Sequence, residues 1–412
     1  MKFDTIIIGG GLSGLINGIN QSKKGKKCAI ISTGQSAIHF FSGSLDLMGY
    51  EGEEECISPL EAIAKLPATH PYSKMGISNV KEYVKKVIPF FNEVGIKFNG
   101  SAEKNSYRIT PLGIMKPTWL TLDEFTSFEN KDSFPFKKAT ILNLAGFLDF
   151  PTEFIAEGLS KSGISCKQAI ISLSELQNIR HNPTEMRSSN IAKEFDKAKV
   201  LDELIDNVNR FGADDECIIF PDVFGLYSTE AVKIFKAKVK KPLYLLPAIP
   251  PSVPGIRIQM MLKDYFIKLG GMYFLGDEVT EGIFEDNKLT AVKTVNHQDI
   301  TMRADNFVLA TGSFFSKGLI SNQNKVIEPI FNLDVDADSD RKNWCDEQFF
   351  NDQAFMHYGV SIDADFHATL GGKSIENLYV AGSSISGANS LKEASGAGVT
   401  ILTSLFVADK IK

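Results

Sequence analysis

The sequence lacks closely spaced cysteines, and this argues against several kinds of metal centre. Its six histidines form neither an H-E-x-x-H nor an H-x-H pattern. Its five cysteines are all far apart, with no C-x-x-C pair: Cys28, Cys56, Cys166, Cys217 and Cys345. Zinc sites and iron–sulfur clusters use such closely spaced ligands. We therefore expect no bound metal and, because isolated cysteines suit a reducing compartment, a cytosolic protein.

Long apolar runs and an excess of basic residues are also missing. No stretch approaches the roughly 20 apolar residues that cross a bilayer. The net charge of −6 provides no positive field for nucleic acid or an anionic membrane. The apolar content of 43% is ordinary for a globular protein. These properties predict a soluble, cytoplasmic chain.

The first 32 residues contain a complete strand–turn–helix–strand pattern. Residues 4–8 predict a buried strand, residues 28–32 predict a second, and an apolar-periodic helix lies between them, ended by Gly25. The turn has G-x-G-x-x-G spacing, which lets a backbone approach a diphosphate at a helix N-terminus. A glycine-rich turn without a ligand is the alternative. The predicted cofactor contacts here are Gly9, Gly10, Gly11, Ser13 and Gly14.

One position of this pattern departs from the usual dinucleotide site. Such sites carry a carboxylate about 20 residues beyond the glycines, where it bonds the adenosine ribose. This chain has Ser32 there. A diphosphate-binding turn favours FAD, whereas loss of the carboxylate fits FMN or a loosely held dinucleotide. The residues alone leave both flavins open.

A second flavoprotein-like region begins near residue 255. A helix over 255–269 is followed by a predicted antiparallel meander and then by a buried strand that ends in Ala310, Thr311 and Gly312. In many flavoproteins with two dinucleotide-binding domains, such a turn passes close to the cofactor diphosphate. An incidental strand ending in glycine is the alternative. The predicted strands of the meander are 272–275, 278–284, 289–295 and 299–303.

A third region lies at the C-terminal end of the sequence. Residues 376–382 predict a strand ending in Gly382, and Ser383 follows where FAD enzymes of this class have an aspartate on the ribityl chain. A hydroxyl can still bond a sugar, but without a charge-assisted bond. The next helix start would direct its positive end at the flavin pyrimidine. The predicted contacts there are Gly396, Ala397 and Gly398.

Together these regions predict an α/β, Rossmann-like flavoprotein fold of the two-dinucleotide-binding-domain type. Residues 1–50 and 260–412 would form a discontinuous flavin-binding domain. Residues 51–259 would form an inserted α/β cap, substrate or interface domain, with a helix over 152–161, one or two helices over 185–209, and strands over 139–144, 167–173, 216–220 and 243–246. Prolines cluster where this inserted domain leads back to the flavin-binding domain, and they predict a rigid hinge there: Pro247, Pro250, Pro251 and Pro254.

Further peptides are spread over nearly the whole chain, at 3–6, 34–40, 42–47, 70–73, 108–113, 118–120, 183–187, 250–257, 312–316 and 328–330. With the glycine motif, they resemble one family, the B subunits of the anaerobic glycerol-3-phosphate dehydrogenase of bacteria. That family also has uncharged residues where Ser32 and Ser383 stand.

The resemblance implies a flavoprotein subunit of a three-subunit complex. That complex oxidises sn-glycerol 3-phosphate to dihydroxyacetone phosphate and sends electrons toward menaquinone, with fumarate or nitrate downstream. The resemblance implies FMN here, FAD in a sister catalytic subunit, and iron–sulfur clusters with membrane attachment in a third. The chain would be cytoplasmic, peripheral to the inner membrane through this complex. The alternative is a non-catalytic assembly or electron-relay partner on a degenerate flavoprotein fold.

Alcohol oxidation by a flavin requires a base for the hydroxyl proton. His39 is the first candidate, because it follows the second strand where chains of this fold pass along the flavin edge. A histidine hydrogen-bonded within a loop is the alternative. His70 and His357 are weaker candidates.

A phosphate-bearing substrate also requires cations. Arg108, Arg187 and Arg257 each occur in a peptide that resembles the family. Arg257, at the predicted hinge, is a candidate for both catalysis and substrate binding. Each arginine could instead pair with a carboxylate.

Overall fold

The computed structural model describes residues 1–131, 133–181, 186–297 and 300–412. The chain divides into two compact units. Unit 1 comprises Met1–Ala37, Asp46–Gly95 and Leu262–Lys412, and unit 2 comprises Ile38–Leu45 and Ile96–Met261. Residues 183–185 of one family-like peptide, and Asp299 of a predicted strand, lie outside the described residues.

Helices are numbered in chain order. They are α1 Leu12–Lys23, α2 Pro59–Ile63, α3 Pro71–Met75, α4 Ile77–Val94, α5 Thr152–Ser160, α6 Ser174–Ile179, α7 Ser188–Phe195, α8 Ala198–Phe211, α9 Glu230–Lys238, α10 Val253–Lys268, α11 Ser390–Glu393 and α12 Gly396–Lys410. Across the described ranges, none of them is both long and apolar enough to cross a membrane.

Strands are numbered in the same way. They are β1 Lys2–Ile8, β2 Cys28–Ser32, β3 Ser44–Leu45, β4 Tyr50–Glu51, β5 Glu54–Glu55, β6 Phe98–Gly100, β7 Ser106–Ile109, β8 Met115–Thr118, β9 Leu120–Leu122, β10 Lys138–Leu144, β11 Ser165–Ile171, β12 Cys217–Pro221, β13 Leu243–Leu246, β14 Met272–Leu275, β15 Val279–Glu285, β16 Lys288–Thr294, β17 Met302–Leu309, β18 Ile320–Ser321, β19 Val326–Ile327, β20 Val335–Asp336, β21 Gly359–Val360, β22 His367–Leu370 and β23 Lys373–Val380.

Unit 1 is built on an eight-stranded sheet with the order β14-β2-β1-β17-β16-β15, to which β23 and β22 are added beside β17. Strands β14, β2, β1, β17 and β23 pair in parallel. Strand β1 is apolar and buried along residues 5–8, as expected of a parallel strand covered on both faces. This sheet confirms the predicted Rossmann-like α/β class.

One predicted strand pairs differently from the expectation. Residues 272–275 were expected in an antiparallel meander, but β14 pairs in parallel with β2. The reason is that α10 precedes β14, and a helical crossover returns the chain to the sheet in the parallel direction. Of the strands predicted for the meander, only β15, β16 and β17 pair in the antiparallel direction.

Polar contacts fix helix α1 against helix α12. The hydroxyls of Ser13 and Ser404 are 2.7 Å apart, and the Gln21 side chain donates to the Ala408 carbonyl at 2.7 Å. Both residue numbers rise together along these contacts, so the helices run in the same direction. The N-termini of α1 and α12 therefore point the same way.

The boundary predicted at residue 50 differs from the one observed, because residues 51–95 group with unit 1. Helix α4 is amphipathic and buries Val80, Tyr83 and Val87. The Tyr83 hydroxyl donates to Asp409 at 2.9 Å, and its ring makes an edge contact with Phe406. These contacts with α12 attach α4 to the nucleotide-binding unit.

Unit 2 contains a four-stranded parallel sheet with the order β11-β10-β12-β13. These are the four strands predicted for the insertion. Its core is rich in phenylalanine, and the rings of Phe224 and Phe235 stack with their centroids 4.5 Å apart. The helical stretch predicted between 185 and 209 consists of α7 and α8.

Candidate functional site

The turn between β1 and α1 is held by backbone contacts that only glycine permits. Gly9 has φ +115°. A Cβ there would lie 2.2 Å from the Ala310 carbonyl oxygen, and a Cβ at Gly14 would lie 1.9 Å from the Gly9 carbonyl oxygen. The first contact joins this turn to the one after β17. The second sets α1 directly against the turn.

The N-terminus of α1 has the properties of an anion site. The N-cap residue, Gly11, has no side chain to accept from the first N–H groups, and the first turn of α1 has no acidic residue. A Cβ on Gly11 would meet nothing closer than Ser36 Cβ, at 3.5 Å. The first backbone N–H groups of a helix have no partner inside the helix. They favour a phosphate at this position.

Two buried hydroxyls beside this turn support the same assignment. Within the described part of the chain, Ser36 Oγ and Thr311 Oγ1 have no hydrogen-bond partner. Leaving a buried hydroxyl without a partner costs free energy. A bound flavin phosphate would offer both of them acceptors. The residues present therefore fit the phosphate portion of a flavin.

The position of the missing ribose carboxylate is occupied by neutral hydroxyls. Ser32 is buried, and its hydroxyl donates to the Gly34 carbonyl at 3.3 Å. The Tyr273 hydroxyl donates to the Gly10 carbonyl at 3.2 Å. A Cβ on Gly10 would lie within 2.4 Å of both hydroxyl oxygens. Tyr273 was not predicted from the sequence, because only the pairing of β14 with β2 brings it to this turn.

The C-terminal turn meets the other two. Gly382 has φ +78°, and a Cβ there would lie 2.9 Å from the Ser13 side chain. The Gly312 N–H donates to Ser384 Oγ at 2.8 Å. Ser383 Oγ lies 3.5 Å from the position of a Cβ on Gly312. The structure thus brings together the three turns in which cofactor contacts were predicted.

The start of α12 is packed tightly at one of its predicted contacts. The Gly398 N–H donates to the Asp46 carbonyl at 2.9 Å. A Cβ on Gly398 would lie 2.2 Å from the Tyr72 hydroxyl. The glycine therefore allows Tyr72 to pack against the helix. Gly396 and Ala397, the other predicted contacts, are half-buried.

A buried His–Glu pair lies just before α12. His70 is 1% exposed; its Nδ1 accepts the Tyr72 N–H, and its Nε2 is 3.2 Å from Glu393 Oε2. Burial would raise the pKa of Glu393, but hydrogen bonds from His70, Ser395 and the Asn389 N–H hold that pKa below its usual range. An ionised carboxylate thus lies two residues before the N-cap, Ser395. His70 was a weaker candidate from the sequence, and Glu393 was not predicted.

The base candidate lies in unit 2. His39 is in a short 3-10 turn, Ala37–Phe40. Burial lowers the pKa of His39 below its usual 6.5, although a hydrogen bond with Gln259 opposes the shift. The Ser252 N–H donates to the His39 carbonyl at 2.9 Å, and Ser252 Oγ donates to the Phe41 carbonyl at 2.6 Å. His39 is therefore held in place and favoured in its neutral form.

Arg108 supports the chain that follows His39. Its guanidinium is buried and donates to Ser44 Oγ and, at 2.7 Å, to Ser42 Oγ. The structure thus connects Arg108 with the His39 segment. His357, by contrast, is in unit 1, where its Nε2 lies 2.9 Å from Asp352 Oδ2.

Arg257 is surrounded by protein groups. Its side chain is 2% exposed and donates to Glu124 and to the carbonyls of Phe224 and Gly225, at 2.9 and 2.8 Å. Burial, followed by the Glu124 charge, raises the pKa of Asp222 well above its usual range. Asp222 is therefore favoured in its neutral form. These contacts give Arg257 the carboxylate pairing left open by the sequence, with Glu124 as the partner.

Arg187 is the exposed member of the three arginines. Its side chain is 55% exposed, and its Nη1 lies 3.6 Å from Asp149 Oδ2. The next residue, Ser188, donates to the Pro251 carbonyl at 2.7 Å. Pro251 precedes Ser252, which bonds the His39 carbonyl. Arg187 is thus connected to the His39 segment while its charge remains accessible.

Comparison with known proteins identifies a family of flavoproteins. Residues 4–399 match the family described as FAD binding domain. The chain is 38% identical to the B subunit of the anaerobic glycerol-3-phosphate dehydrogenase of Yersinia enterocolitica, with 100% of this chain and 98% of the relative covered. It is 37% identical to the protein of the same name from Pectobacterium carotovorum, with 100% and 99% covered.

Similarity to solved structures is more distant. A 3-ketosteroid-Δ4-(5α)-dehydrogenase from Rhodococcus jostii is 10% identical, with a TM-score of 0.37 and 99% and 95% of the two chains covered. An L-proline dehydrogenase from P. horikoshii is 10% identical, with a TM-score of 0.33 and 99% and 92% covered.

The glycine turn yields a paired prediction. Gly11→Ala places a methyl where the phosphate would approach but leaves ordinary contact with Ser36, so we expect the flavin-to-protein ratio to fall with the melting temperature of the flavin-free protein unchanged. Gly14→Ala drives a Cβ into the Gly9 carbonyl and should destabilise the protein itself. Absorbance spectra and thermal melts measure both effects. A Gly11→Ala protein with wild-type flavin content would contradict the assigned site.

The Arg257 cluster yields a stability prediction. Arg257→Leu leaves Glu124 buried without its cation, so we expect the free energy of unfolding to fall by about 3–5 kcal/mol. The exposed Arg210→Leu is the matched control and should change it by less than about 0.5 kcal/mol. Urea denaturation of the two variants compares them. Equal stabilities would show that the buried pair does not hold unit 2 together.

Proposed function

Since this chain belongs to the family of FAD-binding proteins that are B subunits of the anaerobic glycerol-3-phosphate dehydrogenase, we propose that it is a flavin-bearing subunit of a complex that oxidises sn-glycerol 3-phosphate to dihydroxyacetone phosphate. The convergence of the three glycine-containing turns on the uncapped start of α1 carries this proposal. This convergence supports a chain that has kept a flavin-binding site as well as the flavoprotein fold. Gly11, Ser36 and Thr311 would hold the flavin phosphate.

The protein groups have separate tasks in this reaction. A flavin held by Gly11, Ser36 and Thr311 would supply the hydride acceptor for oxidation of the alcohol carbon. His39, favoured as the neutral imidazole, accepts the hydroxyl proton. Ser252 and Arg108 are positioning residues, because they fix the chain on either side of Phe41. His39 also follows closely on Ser36, which borders the phosphate site.

Arg187 is the arginine best suited to the substrate phosphate. Its charge is accessible, whereas the guanidinium of Arg257 is buried against Glu124 and two carbonyls. The link from Ser188 through Pro251 to Ser252 connects Arg187 to the segment that carries the base. A guanidinium can bind a phosphate through two parallel hydrogen bonds. Arg257 would then stabilise unit 2 and would not bind the substrate.

For the flavin we favour FMN, with FAD as the alternative. The hydroxyls of Ser32 and Tyr273, in place of a carboxylate, weaken the hold on an adenosine ribose. Electrons would pass to an iron–sulfur subunit and on to menaquinone, with fumarate or nitrate as final acceptors. A sister FAD subunit would complete a cytoplasmic assembly that is peripheral to the inner membrane.

A second candidate function is electron relay or assembly, with substrate oxidation in the sister subunit. The state of the predicted phosphate ligands favours it, because Arg108 and Arg257 are buried and bonded to protein groups and Arg187 is paired with Asp149. Substrate oxidation and electron relay both require the flavin, and they differ in which subunit oxidises the substrate. A single preparation can separate them.

The test begins with the purified chain. We expect visible flavin absorbance, chromatographic identification of the released flavin, and loss of its colour when glycerol 3-phosphate is added without oxygen. Loss of colour only after the sister subunit is added would assign this chain to electron relay. A folded protein that stays colourless when supplied with FMN or FAD would overturn both substrate oxidation and electron relay by this chain, and would leave only the assembly role.

Substitution of the base has a predicted pH signature. If the isolated chain oxidises substrate, His39→Asn should lower kcat by about 10²–10⁴-fold. Burial lowers the pKa of His39, and the neutral imidazole is the active base. Wild-type activity should therefore rise with pH and reach half of its maximum at a pH below 6.5. His357→Asn is the matched control and should keep both the rate and this profile. Full activity in the His39→Asn enzyme would exclude it as the base.

A further inference from the structure

Two adjacent phenylalanines are almost fully exposed on unit 1. Phe349 is 84% exposed and Phe350 is 83% exposed, with ring centroids 5.2 Å apart in an edge-to-face arrangement. Leu391 is 75% exposed, and its neighbour Lys392 donates to the Phe350 carbonyl. Large exposed apolar groups that cluster in this way are typical of an interaction surface.

The surrounding segment is acidic. We use the name acidic segment for residues 338–357. Its two cationic residues are Arg341 and Lys342. All five of its carboxylates are exposed: Asp338, Asp340, Asp346, Glu347 and Asp352. With Lys392 beside Phe350 included, five carboxylates stand against three cations, so the surroundings of the apolar centre keep a net negative charge and match the polar rim of a protein–protein interface.

The inner side of the acidic segment is anchored. Trp344 is buried, its Nε1 donates to the Asp338 carbonyl at 2.7 Å, and its ring makes an edge contact with Tyr358. The Phe355 N–H donates to the Trp344 carbonyl at 3.0 Å. These contacts hold the inner face in unit 1. Phe349 and Phe350 are consequently presented outward on a fixed support.

The acidic segment also contacts chain on both sides of the candidate flavin site. Phe355 packs edge-on against Phe314, which follows the Ala310–Gly312 turn, with 6.2 Å between centroids. Asp352 accepts a hydrogen bond from Asn389 at 2.6 Å, in the loop that leads to α12. A protein bound to Phe349 and Phe350 would therefore lie beside the turns that hold the flavin.

We propose that Phe349, Phe350 and Leu391, rimmed by the carboxylates of the acidic segment, form the docking surface for the electron-accepting subunit of the complex. This inference rests on the proposed function. The chemistry of the surface specifies an apolar pocket on the partner surrounded by lysine or arginine side chains. Complementary charge around an apolar centre orients and accelerates such docking. An electron acceptor is the partner that requires a surface beside the flavin.

The test uses the full chain with its flavin and the recombinant iron–sulfur subunit as the probe. The variant Phe349→Ser/Phe350→Ser should raise the Kd at least 10-fold, because central aromatic residues contribute most of the affinity of an interface. Its flavin content and melting temperature should equal those of the wild type. The matched control is Phe154→Ser, since Phe154 is an exposed phenylalanine in unit 2. It should keep the wild-type Kd.

A charge variant provides an independent arm. Glu347→Lys should also raise the Kd, and it should make the Kd less sensitive to salt, because one attractive charge of the rim has been reversed. Both arms are measured by biolayer interferometry over a range of ionic strength. Equal Kd values for wild type and phenylalanine variant would overturn the docking surface while leaving the proposed function intact.

Two other outcomes also decide the matter. The assigned partner is wrong if the phenylalanine variant still binds the iron–sulfur subunit but no longer binds the sister catalytic subunit. The same holds if it still binds the iron–sulfur subunit but no longer associates with a second copy of this chain in light-scattering measurements. If the wild-type chain binds neither of the other two proteins of the complex, the proposed function itself fails, and the docking surface fails with it.

Discussion

Backbone-to-backbone contact at the β1–α1 turn is the constraint on which the nucleotide-binding unit depends. Gly9 lies against the Ala310 carbonyl and Gly14 against the Gly9 carbonyl, so strand β1, helix α1 and strand β17 meet without intervening side chains. Polar contacts such as that between Ser13 and Ser404 then set α12 beside α1. The N-termini of α1 and α12 consequently point the same way. Each would offer a positive end, one to a phosphate and the other to a second electron-rich part of the same ligand.

Unit 2 is organised by a different interaction, the buried pair of Arg257 and Glu124. The guanidinium also binds the carbonyls of Phe224 and Gly225, and so connects α10 to the chain after β12. Removing charges from water is costly, and the neutral form favoured at Asp222 leaves one cation facing one anion. An arginine held in this way contributes to the shape of the unit. If the chain binds a substrate phosphate as proposed, the charge of that phosphate would have to be neutralised by a different cation, one that solvent can reach.

Local pattern was sufficient to predict the parts of the fold whose partners lie nearby in sequence. The β1–α1–β2 unit follows from glycine spacing and apolar periodicity, and the strands of unit 2 follow from short apolar runs. Strand β14 was misassigned because its neighbour is β2, about 240 residues earlier, and spacing carries no information about such pairing. The same limit hid Tyr273 beside Gly10, and Glu124 beside Arg257, 133 residues apart. Glu393 was missed because its significance depends on His70, 323 residues away.

The replacement of carboxylates by hydroxyls changes how a flavin is held along its length. Ser32 and Tyr273 would provide neutral hydrogen bonds at the adenosine end, and Ser383 would do so near the ribityl position. The uncapped start of α1 is unaffected by these replacements and still favours a phosphate. Binding free energy would therefore be concentrated on the phosphate and on the ring, which FMN and FAD share. The adenosine end would contribute least to the binding free energy. The choice between FMN and FAD would then depend on the few contacts around Gly10, whose carbonyl already accepts a hydrogen bond from the Tyr273 hydroxyl.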